Sequence, residues 1–163
     1  MNIFALDKCP MQSAQWLDDI RKNKMILESA QMLSTAVRVL CPDTDLSVYK
    51  VAYLNHPCTI WARQSRENFK WLLSHMSHLF LQKDGLHKSA NLLTDFQKYA
   101  DSGYFPSEDL TPFANCARNL ERGVDYSEHP DVHEAYRMYM NDRWKENNIT
   151  LTWRWGREPE WRN

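Results

Sequence analysis

Glycine is scarce in this chain, four residues in 163, and that scarcity argues against a sandwich or barrel of many short strands joined by tight turns. No apolar run approaches the length needed to cross a bilayer. The first residues lack a charged segment followed by an apolar stretch, so neither a membrane span nor a secretory signal is expected. A surplus of positive charge is missing too. The formal net charge is −1, which does not support extended contact with a duplex backbone, although a local basic patch remains open. The four cysteines, Cys9, Cys41, Cys58 and Cys116, form no C-x-x-C pair and no zinc-ribbon spacing. Reduced thiols in a cytosol are expected, with Cys58 and Cys116 packed as small apolar residues. There is no Walker loop, dinucleotide fingerprint, nucleophile elbow or paired-carboxylate signature, and no cofactor is implied. Repeats, low-complexity segments and linkers are also lacking.

What is present is a well-stocked core: 43% hydrophobic residues, 12% aromatic, and seven tryptophans. At this length that predicts one mainly α domain spanning residues 1–163, with a short extended segment at 2–6 and an extended Trp/Arg-rich strap at the C-terminal end. Residues 24–40 read as a long helix. Ile26, Ala30, Leu33, Val37 and Leu40 form its apolar stripe, and Lys24, Glu28, Gln31, Thr35 and Arg38 form a polar line beside it. Ser29, Ala30, Ser34 and Ala36 let other elements approach closely. Pro10 opens a short helix, and Cys41-Pro42-Asp43 stops the long one. A helix begins at Pro57 with a break or fresh start at Ser65. Phe69, Leu72, Leu73, Met76 and Phe80 carry it to Gln82. Further helices are expected over 87–100, 113–120 and 130–145, and residues 149–155 alternate weakly.

Three groups of residues could carry chemistry. The first is the polar line, with Lys24 as nucleophile or phosphate contact, Glu28 as acid or base and Gln31 as an amide reader. The bland alternative is a solvated face whose Lys24–Glu28 pair adds a few tenths of a kcal/mol. The second group is at the Pro57 helix start, where Asn55, His56 and Thr59 lie among free N–H groups at a positive dipole end and Arg63 or Lys24 supplies counter-charge for an anion. Trp61, Ser65 and Asn68 share one side of that helix. The alternative makes Asn55 and His56 caps and Trp61 core. The third group is the tail, where Trp153, Arg154, Trp155, Arg157, Trp161 and Arg162 combine stacking rings with guanidinium groups. Bases stack on such rings at about 1–3 kcal/mol each. A protein-binding patch has the same composition, as does a strap pinned across the core, the reading that Pro159 and the alternation favour. His75/His78 and His129/His133 share helical faces but lack the further ligand of a zinc signature, so no metal is assigned. Asp18, Asp19 and Asp45 complete the acid–base candidates.

Met1-Asn2-Ile3-Phe4, Leu17-Asp18-Asp19 through Gln31, Asn55-His56-Pro57, Trp61 to Ser65, Asn68 to Leu72, His87-Lys88-Ser89, Ala135-Tyr136-Arg137 and Pro159-Glu160-Trp161 occur in an order that resembles a family of small bacteriophage-encoded α-helical proteins. The run Ile20-Arg21-Lys22-Asn23 lacks the histidine that the resemblance leads one to expect before Lys24. The resemblance implies a phage setting in a bacterial cytoplasm, where small accessory proteins act on nucleotides, nucleic acids or host defence proteins.

The leading expectation is therefore a protein that binds, and processes, a nucleotide or nucleic-acid base in a polar pocket between the 24–40 and 57–82 helices. Lys24, Glu28 and His56 are its catalytic candidates. Gln31, Asn55, Trp61, Arg63, Ser65 and Asn68 are its substrate contacts. Glycosylase- or hydrolase-like chemistry needs a carboxylate or amine beside a flat aromatic pocket with amide hydrogen-bond partners. A rival is a non-enzymatic inhibitor or adaptor that binds a host protein through its Trp-, Tyr- and Met-rich surface. The third is a metal-dependent nuclease or hydrolase built on His75, His78, His129 and His133.

Overall fold

A computed structural model describes residues 1–146 and 150–163. Ile149, the first residue of the alternating tail, lies outside the described residues. The order of elements is α1 (Pro10–Gln15), α2 (Asp19–Leu40), α3 (Pro57–Gln64), α4 (Arg66–Leu81), a 3₁₀ turn (Lys88–Leu92), α5 (Leu93–Ser102), a two-residue ribbon β1 (Arg118–Asn119) and β2 (Val124–Asp125), and α6 (Val132–Lys145). The domain is mainly α, and none of the described helices is long and apolar enough to cross a membrane.

α2 is the central helix. Its stripe residues Ile26, Ala30, Leu33 and Val37 are wholly buried, and α3 and α4 pack against it. Its cap explains where it starts. The Asp18 carboxylate, itself fully buried, accepts from the Arg21 backbone N–H at 3.2 Å, from the Arg21 side chain at 2.7 Å and from the Trp144 indole at 2.8 Å, tying α2 to α6. The polar line is only partly solvated. Thr35 Oγ1 exchanges hydrogen bonds with both backbone groups of Ala52, and the Arg38 guanidinium donates to the Val48 and Tyr49 carbonyls, so this face holds the irregular 43–56 segment.

The break between α3 and α4 falls at Ser65, which is extended (φ −150°) and accepts from the Asn68 N–H at 3.1 Å. The helix expected over 87–100 is a 3₁₀ turn capped by His87 that runs into α5. The helix expected over 113–120 does not form. Extended chain and β1 stand there instead, because Tyr136 from outside the segment claims its backbone and Asn115 within it bonds away to the 126–127 turn. Tyr136 Oη donates to the Ala114 carbonyl and accepts from the Cys116 N–H, and Asn115 bonds forward to the Tyr126 and Ser127 carbonyls.

Both ends of the described chain are tied in. Ile3, Ala5 and Leu6 are fully buried, with Ser13 of α1 bonded to the Phe4 carbonyl and the Leu6 N–H. The C-terminal strap is pinned through tryptophan: Trp161 stacks on Trp144 (5.4 Å), and the Trp153 indole donates to the Trp16 carbonyl.

Candidate functional site

Segments distant in sequence meet around a cavity of about 390 Å³, within the range typical of small-molecule sites. α2 contributes Arg21, Lys24 and Glu28, spaced so that all three lie on one side of the helix. The start of α3 contributes His56, the 116–119 segment Cys116 and Arg118, and α6 Tyr139 and Arg143. Phe4, from the buried N-terminal segment, lies stacked near the Tyr139 ring, with centroids 6.1 Å apart. Phe4 holds the left-handed φ of +39°, a costly conformation for an aromatic residue, which the burial of Ile3 and Leu6 on either side sustains.

Glu28 is 9% exposed. Its Oε2 accepts from the Asn2 backbone N–H at 2.9 Å and lies 3.9 Å from the Met1 amino nitrogen, while Oε1 is 3.6 Å from Lys24 Nζ. Lys24 is largely solvent-facing, a rim residue. His56 caps α3, its Nδ1 accepting from the Cys58 N–H at 3.2 Å. Burial, followed by the positive charges of the amino terminus and Arg118, pushes the His56 pKa below its ordinary value, with Glu28 opposing. With its Nδ1 lone pair taken by the Cys58 N–H, the neutral imidazole keeps its proton on Nε2, where it can donate it. Arg21 is paired with Asp18 through one terminal nitrogen, but its buried Nε has no hydrogen-bond partner among the described residues.

Beside His56 lies a thiol pair. A hydrogen bond from Cys58 pulls the Cys116 thiol down to about 7, and the same bond, with burial, holds Cys58 well above the usual thiol range. The expectation that both pack as small apolar residues therefore describes Cys58, which is buried, better than Cys116, which is half-buried beside it.

The sequence-derived candidates divide between this cavity and other places. Lys24, Glu28 and His56 line it. Gln31 is half-buried one turn further along α2, and Asn55 is exposed ahead of the cap. Arg63 donates to the Leu54 carbonyl at 2.8 Å. Trp61 is 2% exposed, stacked on Phe113 at 5.0 Å. Ser65 is spent on the α4 cap. Asn68 is spent on its neighbours, donating to the Trp61 carbonyl and to Thr111 Oγ1 and accepting from the Thr111 N–H. The histidine pairs are separate again. His75 is wholly buried and stacked on Trp71, and His133 Nδ1 contacts the Ala5 carbonyl at 2.7 Å. No cluster of three metal-ligating side chains among the described residues includes any member of these pairs.

Sequence reasoning passed over Arg21, Tyr139, Arg143, Phe4, Cys116 and Arg118. The first three carried a signal, since Arg21 precedes Lys24 by three positions and Tyr139 precedes Arg143 by four, each pair sharing a helix face. Phe4, Cys116 and Arg118 reach the cavity only through tertiary packing, and nothing local marks them.

Comparison with protein-family models, with curated proteins and with solved structures gives no match to this chain.

Proposed function

We propose that this chain binds a nucleotide or a nucleic-acid base with its phosphate in the 390 Å³ cavity and acts on it by acid–base chemistry. The observation that carries the reading is the composition of that cavity: a nearly water-free carboxylate and a neutral imidazole beneath Arg21, Lys24, Arg118 and Arg143. Lys24 and Arg118 beside Glu28 favour an anion, with Arg21 close by and already paired with the buried Asp18 carboxylate. Phe4 and Tyr139, stacked on each other and largely buried, add aromatic edges to the cavity wall. Glu28 and His56 then serve as the proton-transfer pair. Lys24, at the rim, suits a phosphate contact better than a desolvated nucleophile. The resemblance to small phage-encoded proteins supports a bacterial cytoplasmic setting.

The adaptor reading keeps one observation of its own, the run of exposed apolar residues Val51, Tyr53 and Leu54. The tail offers it less, because Trp153 and Trp161 are packed against Trp16 and Trp144.

A thermal-shift series with nucleosides, nucleotides and short oligonucleotides tests the proposal. Phosphorylated ligands are expected to raise the melting temperature, by about 2.7 kcal/mol of stabilisation at a hundredfold excess over Kd. The shift should shrink in a Lys24→Ala/Arg118→Ala variant. A flat series from folded protein overturns the proposal, and a pull-down with the 51–54 surface intact and mutated becomes the next step.

A further inference from the structure

We propose that His56, Cys58 and Cys116 form a three-ligand site for a borderline-soft divalent cation, zinc above all, at the α3 end of the cavity. Their ligand atoms, one nitrogen and two sulfurs, lie within 4.8 Å of one another. A tetrahedral zinc with bonds of about 2.3 Å to sulfur and about 2.0 Å to nitrogen sets such atoms roughly 3.5–3.8 Å apart. Side-chain movement of about an ångström closes the set. Thiolate and imidazole donors select zinc over magnesium or calcium, which take oxygen.

The backbone that carries these ligands is fixed independently of any ion. His56 and Cys58 flank Pro57 at the first turn of α3. Cys116 is held on both sides, its N–H donating to Tyr136 Oη at 3.1 Å and its carbonyl accepting from Asn2 Nδ2 at 3.1 Å. The Nδ1 lone pair of His56 now receives a long hydrogen bond from the Cys58 N–H. A metal bound through Nδ1 would take the place of that bond and leave Nε2–H as the donor a neutral, metal-bound imidazole retains. Uptake exchanges thiol protons, released to solvent, for one divalent charge.

Cys58 is buried, whereas His56 and Cys116 line the cavity, so the protein supplies three ligands and leaves the fourth position toward the pocket. That is the arrangement of reactive rather than structural zinc. Glu28 lines the same cavity and can accept a proton from a water in that position. This role rests on the acid–base reading of the pocket, with the metal-bound water taking the place there of His56, which as a ligand no longer transfers protons; the ligation itself does not rest on that reading.

Cobalt(II) titration of the reduced full-length protein tests the site, because cobalt reports thiolate ligation by a sulfur-to-metal charge-transfer band and tetrahedral geometry by its visible bands. One equivalent is expected to bind, with zinc displacing it. Cys116→Ser is expected to lose about half the charge-transfer intensity and bind on the order of tenfold more weakly or worse, and His56→Gln to weaken uptake with the charge-transfer band kept. Circular dichroism of both variants verifies folding, and the deeply buried Cys58 is left intact for that reason. No charge-transfer band in reduced wild type, or equal affinity in folded Cys116→Ser, overturns the proposal. So does reduced protein that takes up no cobalt yet forms a Cys58–Cys116 disulfide on oxidation, which assigns the pair to redox chemistry. Nucleotide thermal shifts after chelation separate failure of the metal site from failure of the pocket reading.

Discussion

Glu28 is held in the cavity by the Asn2 backbone N–H at 2.9 Å, with the Lys24 ion pair longer and its lysine mostly in water. The two roles of this carboxylate can therefore be separated. In Glu28→Gln the amide oxygen still accepts from Asn2, glutamine is as good a helix former as glutamate, and the exposed Lys24 pair contributes little. With the 3.9 Å contact to the Met1 ammonium lost, stability should fall by about 1–2 kcal/mol, a shift of roughly 2–8 °C in melting temperature, while turnover of the substrate that the ligand screen identifies falls by about a hundredfold or more. Retained turnover in the folded variant would remove Glu28 from the chemistry. His75 is a different kind of buried polar residue. Neither ring nitrogen has a partner among the described residues, and burial, with His78 nearby, lowers its pKa to about 3. The folded value lies below the unfolded one of 6.5, so the unfolded chain binds the proton more readily and stability rises with pH. The contribution of neutral His75 is fully present above about pH 6.5 and is lost, at about 1.4 kcal/mol per pH unit, as pH falls from there toward 3. Urea midpoints at pH 7, 6 and 5 should show this slope in wild type, with a shallower one in His75→Leu. Parallel slopes would mean that His75 is protonated in the folded state.

At the scale of elements, periodicity located the helices because each buries one stripe, and Ser65 marked the α3–α4 break because a cap is a local interaction. What periodicity cannot register is a partner far along the chain. Residues 113–120 look helical but are unwound by Tyr136 and by Asn115's bonds to 126–127. The candidate site divides in the same way. That Lys24 and Glu28 share a face follows from their spacing, whereas their meeting with His56, Cys116 and Arg118 is a product of packing. Trp61, Ser65 and Asn68 do share a side, as their spacing requires, but that side is turned into the core. Asn68 shows what such an inward polar residue does, since its amide anchors the approach to Phe113 through Thr111. Asn68→Ala leaves the Thr111 N–H and the Trp61 carbonyl without this partner, and should cost about 2–4 kcal/mol in urea unfolding. Nucleotide affinity, measured where the variant is fully folded, should be unchanged. A matching loss of affinity without loss of stability would return Asn68 to the binding site.

For the whole molecule, the near-zero net charge and the cationic cavity act together. The formal charge of −1 gives no long-range attraction for polyanions, yet Lys24 and Arg118 stand beside Glu28 within one small volume. The cavity stands between elements that the rest of the fold holds in place, with Asp18 joining α2 to α6 and the strap locking Trp161 onto Trp144. A confined site of this size, with Lys24 and Arg118 at its wall, suits one or two phosphates. Because counterions are released in proportion to the phosphates contacted, the slope of log affinity against log salt for a single-stranded ligand should be about −0.7 to −1.4. A protein tracking a duplex through six or more contacts would show a far steeper one. Affinity should also stop rising once a strand is a few nucleotides long, since added phosphates fall outside the cavity. Fluorescence anisotropy of labelled strands of increasing length, each titrated at several salt concentrations, measures both quantities. A slope steeper than about −5, growing with strand length, would assign recognition to an extended surface of the protein instead of the cavity beneath Arg21 and Lys24.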